Sequence, residues 1–148
     1  MARRAQRSIG IIGAGPGGIA TAIRVLEAGH DDVVLLEKAS GVGGTWWPNR
    51  YPGLSCDIPS HLYSFSFAPK LDWKRPYGGR DEIHADLEEV VDRFELRERI
   101  RFDTTVTSAE WDDERAAWRV HTACRGDVRK DFEFDVLETA DFPPVFSR

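Results

Sequence analysis

The feature that most constrains this chain is a glycine loop, Gly13-Ala14-Gly15-Pro16-Gly17-Gly18, set between two apolar runs. Ser8 to Ile12 is short, largely apolar and followed by glycine, as a buried parallel strand is. Beyond the loop, Ile19, Ile23, Val25 and Leu26 fall on one side of a predicted helix that stops near Gly29. His30-Asp31-Asp32 then turns the chain into Val33-Val34-Leu35-Leu36, a second buried strand that ends at Glu37. Right-handed crossover makes the two strands of such a β-α-β unit parallel neighbours.

Each glycine of the G-x-G-x-x-G pattern has a physical task. Gly13 permits the tight turn out of the strand, Gly15 lets backbone approach a pyrophosphate, and Gly18 lets helix and strand pack closely. The helix opens just after Gly15, so its free N–H groups and positive dipole end face the phosphates. Pro16 suits the first helical turn, where its missing N–H costs nothing. The pattern alone is weak. The preceding strand, the following helix and an acid about twenty residues on together make it a dinucleotide site. That acid is Glu37, whose carboxylate accepts hydrogen bonds from a ribose diol and repels a 2′-phosphate. FAD and NAD both satisfy it, and the glycine loop does not decide between them.

From Gly41 to about Gly79 the chain is rich in glycine and proline, carries Trp46, Trp47 and Trp73, and reads as loop. So long a loop inside a compact domain is usually functional or wrapped on a ligand. An amphipathic helix over residues 81–98 follows, with Ile83, Leu87, Val90, Val91 and Phe94 at helical spacing. Three strand-like stretches come next: Arg101 to Trp111, Ala117 to Thr122, and Asp131 to Leu137. The first two form a hairpin over 101–122 about the Asp112-Asp113-Glu114-Arg115 turn.

A chain of 148 residues supports one hydrophobic core and is too short for two full-sized domains. Its net charge of −5 argues against a nucleic-acid partner. Cys56 and Cys124 lie far apart without C-x-x-C spacing, so neither a disulfide framework nor a metal site is indicated. His30, His84 and His121 show no ligand spacing and receive no role. Basic residues before Ile9 could pass for the head of a secretory signal, but glycines and a proline break the apolar stretch behind them. No apolar run approaches a membrane span. A soluble, cytoplasmic protein is expected.

The segment Gly41-Val42-Gly43-Gly44-Thr45-Trp46-Trp47-Pro48-Asn49-Arg50-Tyr51-Pro52-Gly53-Leu54-Ser55-Cys56-Asp57 and its continuation to Phe67 closely resembles the flavin-dependent Baeyer–Villiger monooxygenases, most of all the branch that oxidises aryl ketones. The G-G-T-W and N-R-Y-P-G-x-x-C-D strings are far more specific than the glycine loop, and the resemblance runs over roughly residues 8 to 137. It implies FAD bound here and NADPH bound in a second Rossmann domain, with a ketone and O2 as substrates. The fold class expected is α/β: a partial doubly wound, Rossmann-type FAD-binding domain over residues 1–137 with an appended β-hairpin. By the same resemblance Gly13, Gly15, Pro16 and Gly18 hold the pyrophosphate, and Glu37 the ribose. Gly44, Thr45 and Trp46 wrap the flavin side, and Tyr63 lies near the isoalloxazine. Val106 meets the adenine edge through its backbone. Asp57 matches an aspartate beside the flavin ring, a catalytic position that pairs in the family with an arginine from later in the chain.

Plainer readings stand beside several of these. Trp47 serves equally as a core aromatic, Cys56 as a small buried hydrophobe, and Asp57 as a local turn cap. Pro52-Gly53 reads as a type II turn. The family's small-residue turn of the form A-T-G is replaced by Glu138-Thr139-Ala140-Asp141, and residues 138–148 match nothing in the pattern. Truncation is therefore expected, with the NADPH domain absent. Rival readings are a flavin-containing N- or S-oxygenase, a catalytically inactive FAD-binding fragment and, more distantly, an NAD-dependent dehydrogenase, for which the G-G-T-W wrap has no use.

Overall fold

In the computed structural model the described residues are 7–124, 128–140 and 145–147. Strand β1 (Ile9–Ile12), helix α1 (Pro16–Glu27) and strand β2 (Val33–Leu36) form the β-α-β unit, with Ile9 opposite Val33 and Ile12 opposite Leu36 in parallel register. Helix α2 (Arg80–Arg93) leads to the two-residue strand β3 (Ile100–Arg101), which adds in parallel to β2. Thr104–Asp112 is β4, Ala117–Cys124 is β5, Val128–Phe134 is β6, Val136–Thr139 is β7 and Val145–Ser147 is β8. Two four-stranded sheets result, in the orders β3-β2-β1-β7 and β6-β5-β4-β8. The first is wholly parallel. The second is antiparallel apart from the parallel pairing of β4 with β8.

The alternation of side chains along a strand explains the layers. Ile9, Ile11, Val33 and Leu35 share a core with Ile19 and Ile23 of α1 and Ile83, Leu87, Val90 and Val91 of α2. Leu36 and Val34 point into a second cluster with Ala109, Val120 and Phe134 of the other sheet. Gly10 completes that second face. A Cβ there would lie 2.4 Å from the Phe134 ring, so the aromatic ring rests directly on β1 backbone. The parallel sheet is thus covered by helices on one face and by the second sheet on the other. No described helix is long and apolar enough to cross a membrane.

Three boundaries differ from those read in the sequence. Helix α2 ends at Arg93, not near residue 98. Glu95 takes a left-handed conformation (φ 54°), and the Leu96 N–H returns to the Val91 carbonyl at 2.9 Å while that of Glu95 returns to Asp92 at 3.1 Å. This is a Schellman closure with glutamate where glycine is usual, so the sequence carried no stop signal. Second, Arg101 belongs to the parallel sheet. The chain turns at Asp103 (φ 51°) before β4 begins, so the hairpin strand starts at Thr104. Third, the run from Asp131 to Leu137 divides between the two sheets at Asp135. Its carboxylate accepts from the Ser8 N–H at 2.7 Å and from the Ser8 hydroxyl at 3.0 Å, and the Asp135 N–H donates to Ser8 Oγ at 3.0 Å. The chain then enters β7, where Glu138 and Thr139 pair with Ile11 and Ile12. The atypical stretch expected from residue 138 therefore begins inside β7, the edge strand of the parallel sheet. Residues 141–144 and 148 lie outside the described residues.

Candidate dinucleotide-binding site

The site grows from the ends of β1 and β2, where a parallel sheet leaves a crevice at its carboxyl edge. Gly13 turns the chain with φ 99° and donates its N–H to the Leu36 carbonyl at 2.9 Å. Gly15 is the N-cap of α1 and has no side chain to cap it, and Pro16 occupies the first helical position. The first-turn N–H groups therefore remain available to an anion. Gly18 is tied to Gly13 by space alone: a Cβ on Gly18 would lie 1.9 Å from the Gly13 carbonyl oxygen.

Glu37 follows β2 and is only 5% exposed. One carboxylate oxygen accepts from the Ala14 N–H at 2.6 Å, and the other from the Ala39 N–H at 2.7 Å. A buried carboxylate needs such donors to offset its lost hydration. The two bonds pin the glycine loop to the end of β2 and occupy two of the roughly four acceptor directions a carboxylate offers. Strand β4 closes the same corner, since the Thr104 N–H donates to the Glu37 carbonyl at 2.9 Å. Val106 lies two residues further along β4, paired with Thr122 at a bulge and packed into the cluster that contains Leu36.

The segment after β2 folds back onto the glycine loop. Gly43 donates to the Ala14 carbonyl at 3.0 Å. Gly44 (φ 56°) sits so close that a Cβ on Gly15 would lie 3.2 Å from the Gly44 Cα. Residues Gly44–Trp46 make one 3-10 turn, which buries Trp46. The Trp46 indole N–H donates to the Tyr63 hydroxyl at 2.8 Å, with the two rings edge to face. Thr45 is exposed, and the Asn49 side-chain amide donates to its carbonyl at 2.8 Å. Trp47 is half-buried beneath the Arg50 guanidinium, 4.9 Å from the ring centroid. An apolar cavity of about 170 Å³ opens beside Pro16, lined by Tyr63, Phe65, Ile83, Leu87 and Asp86. Burial pushes the Asp86 carboxyl above its ordinary range.

Gly13, Gly15, Pro16, Gly18, Glu37 and Gly44 are thus in one place, with the Trp46–Tyr63 pair behind them. Asp57 is apart from this group. It is exposed, its carboxylate faces the Cys56 thiol at 3.9 Å, and among the described residues no arginine pairs with it. Cys56 itself is buried. Gly53, with φ 81°, follows Pro52 as a type II turn requires. Three partners had no sequence signal. Ala14 and Ala39 act through backbone N–H groups, and His84 reaches the Val42 carbonyl at 3.1 Å. His121, also without an assigned role, lies 3.0 Å from the Asp131 carboxylate.

The NAD(P)-binding Rossmann-like domain family matches residues 11–76, which hold the glycine loop, Glu37 and the returning wrap. A Baeyer–Villiger monooxygenase of Streptomyces coelicolor is 46% identical over 135 residues, 91% of this chain and 25% of that protein. An FAD-binding monooxygenase of Aspergillus niger is 38% identical over 93% of this chain and 23% of its own length. The solved structure of an oxidised steroid monooxygenase bound to NADP superposes with a TM-score of 0.82 at 43% identity, covering 90% of this chain and 25% of that one. The homologues of this chain are flavin monooxygenases. It spans about a quarter of the length of these monooxygenase relatives. Their Rossmann-type α/β fold is the fold described above.

Proposed function

We propose that this chain is the FAD-binding part of an FAD- and NADPH-dependent Baeyer–Villiger monooxygenase, which inserts one oxygen of O2 into a ketone. The observation that carries the reading is the convergence of Glu37 and the Gly43-Gly44 backbone on Ala14 and Gly15. A cradle of bare backbone is left at the N-terminus of α1, and a Cβ at Gly15 would fill it. The residues suit the ADP half of a dinucleotide. Gly13, Gly15, Pro16 and Gly18 would take the pyrophosphate, and the remaining acceptor directions of Glu37 the ribose diol. The same carboxylate disfavours the 2′-phosphate of NADPH. Bound FAD supplies the hydride acceptance and oxygen activation of such enzymes, while protein supplies position and charge. Gly44, Thr45, Trp46 and Tyr63 would line the path toward the flavin ring, and the Val106 backbone would meet the adenine edge. Asp57 would act as a charge beside the ring once an arginine joins it. Other relatives bear the name cyclohexanone monooxygenase, in keeping with a ketone substrate.

The reading is tested by comparing FAD with FMN, which shares the flavin and lacks the adenosine half. Fluorescence titration is expected to give saturable FAD binding and none with FMN at the same concentrations. Equal binding of both would remove the ribose and pyrophosphate assignments.

A further inference from the structure

The peptide between Val42 and Gly43 has both polar groups committed, in opposite directions. Its N–H, on Gly43, donates to the Ala14 carbonyl at 3.0 Å. Its carbonyl, on Val42, lies 3.1 Å from Nε2 of His84 on α2. A carbonyl only accepts, so the imidazole is the donor, and the bond selects the ring form with its proton on Nε2. The ring has further contacts besides this bond. Trp47 lies against it with centroids 5.5 Å apart, and a Cβ on Gly43 would sit 3.0 Å from His84 Cδ2. Glu88, one helical turn on, places a carboxylate oxygen 3.6 Å from Nε2 and is itself paired with Arg97.

We infer that His84 is a positioning residue for the cofactor loop. It fixes the 42–43 peptide, which in turn holds Ala14 and seats Gly44 against Gly15. The inference rests on the FAD reading above. Gly43 has φ 124°, a conformation that favours glycine, and with no side chain of its own this peptide is oriented by the two hydrogen bonds it makes. Val42 is fully buried, which leaves its carbonyl dependent on a protein donor. His84 is suited to the task because α2 is anchored in the core through Ile83 and Leu87. Ala14 is then gripped from both sides: by Glu37 at its N–H and by the His84-held peptide at its carbonyl.

The test uses the 148-residue chain with two variants. His84→Phe keeps a ring against Trp47 and removes the donor, and His84→Gln keeps a donor. FAD dissociation constants, thermal midpoints and the exchange rate of the Gly43 amide are measured for each. His84→Phe is expected to bind FAD roughly threefold to tenfold more weakly, the effect of one lost hydrogen bond. Its midpoint should fall by only about 2–6 °C, as expected for one buried acceptor left unpaired, and its Gly43 amide should exchange faster, while His84→Gln recovers affinity, midpoint and protection. Unchanged affinity in His84→Phe overturns the inference and leaves the FAD reading standing. So does equal weakening in both variants with Gly43 exchange unaltered, because that marks a packing role. A wild-type chain that fails to bind FAD overturns the FAD reading and this inference with it. If His84→Phe does not fold, His84→Ala is read by the same criteria. Rapid Gly43 exchange in the wild type would by itself contradict the proposed restraint.

Discussion

Glu37 has two tasks, and its substitution separates them. Its carboxylate holds the N–H groups of Ala14 and Ala39, and in the proposed function the same group would also take the ribose diol of FAD. Glu37→Ala should weaken FAD binding by about 1.5–3 kcal/mol, or roughly tenfold to a hundred-and-fiftyfold. It should also lower folding stability by about 1–3 kcal/mol, since two backbone donors lose their acceptor. Flavin titration and urea denaturation measure the two losses separately, and unchanged FAD affinity would mean that another group holds the ribose. Gly15→Val should be worse for binding, because its side chain enters the pyrophosphate cradle and presses on Gly44. The glycines and Glu37 were legible in the sequence because each is dictated by its own geometry within a short motif. His84 was not, since it acts on a carbonyl 42 positions away. Asp57 was drawn from family resemblance, and its setting here is an exposed one.

Helix α2 and the β6–β7 junction show where element boundaries escape a sequence reading. The apolar spacing from Ile83 to Phe94 marked the helix correctly, but its stop depends on Glu95 entering the left-handed region. A glycine there avoids that strain at some cost in chain entropy, so Glu95→Gly should stabilise the fold by about 0.5–1 kcal/mol. A lowered urea midpoint in this variant would contradict the assignment. At the junction, Phe132, Phe134 and Val136 keep the two-residue apolar spacing of a strand, so nothing in the alternation announces the change of sheet. What fixes it is Ser8, far away in sequence. The Ser8 backbone N–H, and then its hydroxyl, hold the Asp135 carboxyl below the usual aspartate range. A lowered folded value means stabilisation that is fully present above the unfolded value and fades as pH falls toward the folded one. Asp135→Asn should therefore flatten the stability profile in the acid limb, below the ordinary aspartate range, and leave its shape near neutrality unchanged. An acid limb identical to wild type would show that the Ser8 clamp does not couple to folding.

The described residues form a parallel sheet between helices and a second sheet, with a candidate dinucleotide crevice at the carboxyl edge of the parallel sheet. The β-α-β core was readable because buried strands, a glycine loop and an acid stand in a fixed order. Of the second sheet, the β4–β5 hairpin and the stretch that ends β6 were readable, since β6 pairs with its sequence neighbour β5, whereas β8 was not, because its partner β4 lies far earlier in the chain. One glycine loop serves one dinucleotide. Hydride transfer needs a nicotinamide held against the flavin, a positioning effect worth roughly 7–11 kcal/mol of barrier. The 148-residue chain is accordingly expected to oxidise NADPH no faster than free FAD does, even with an aryl ketone present, as followed at 340 nm. Turnover clearly above that background would mean that these residues hold a second nucleotide site. The most direct test of the central claim is cofactor retention. The chain is incubated with FAD and NADPH together, passed through gel filtration, and the protein peak is read by its absorbance. A yellow peak with the flavin spectrum and no NADPH is expected. A colourless peak, or one that carries NADPH in place of flavin, would contradict it.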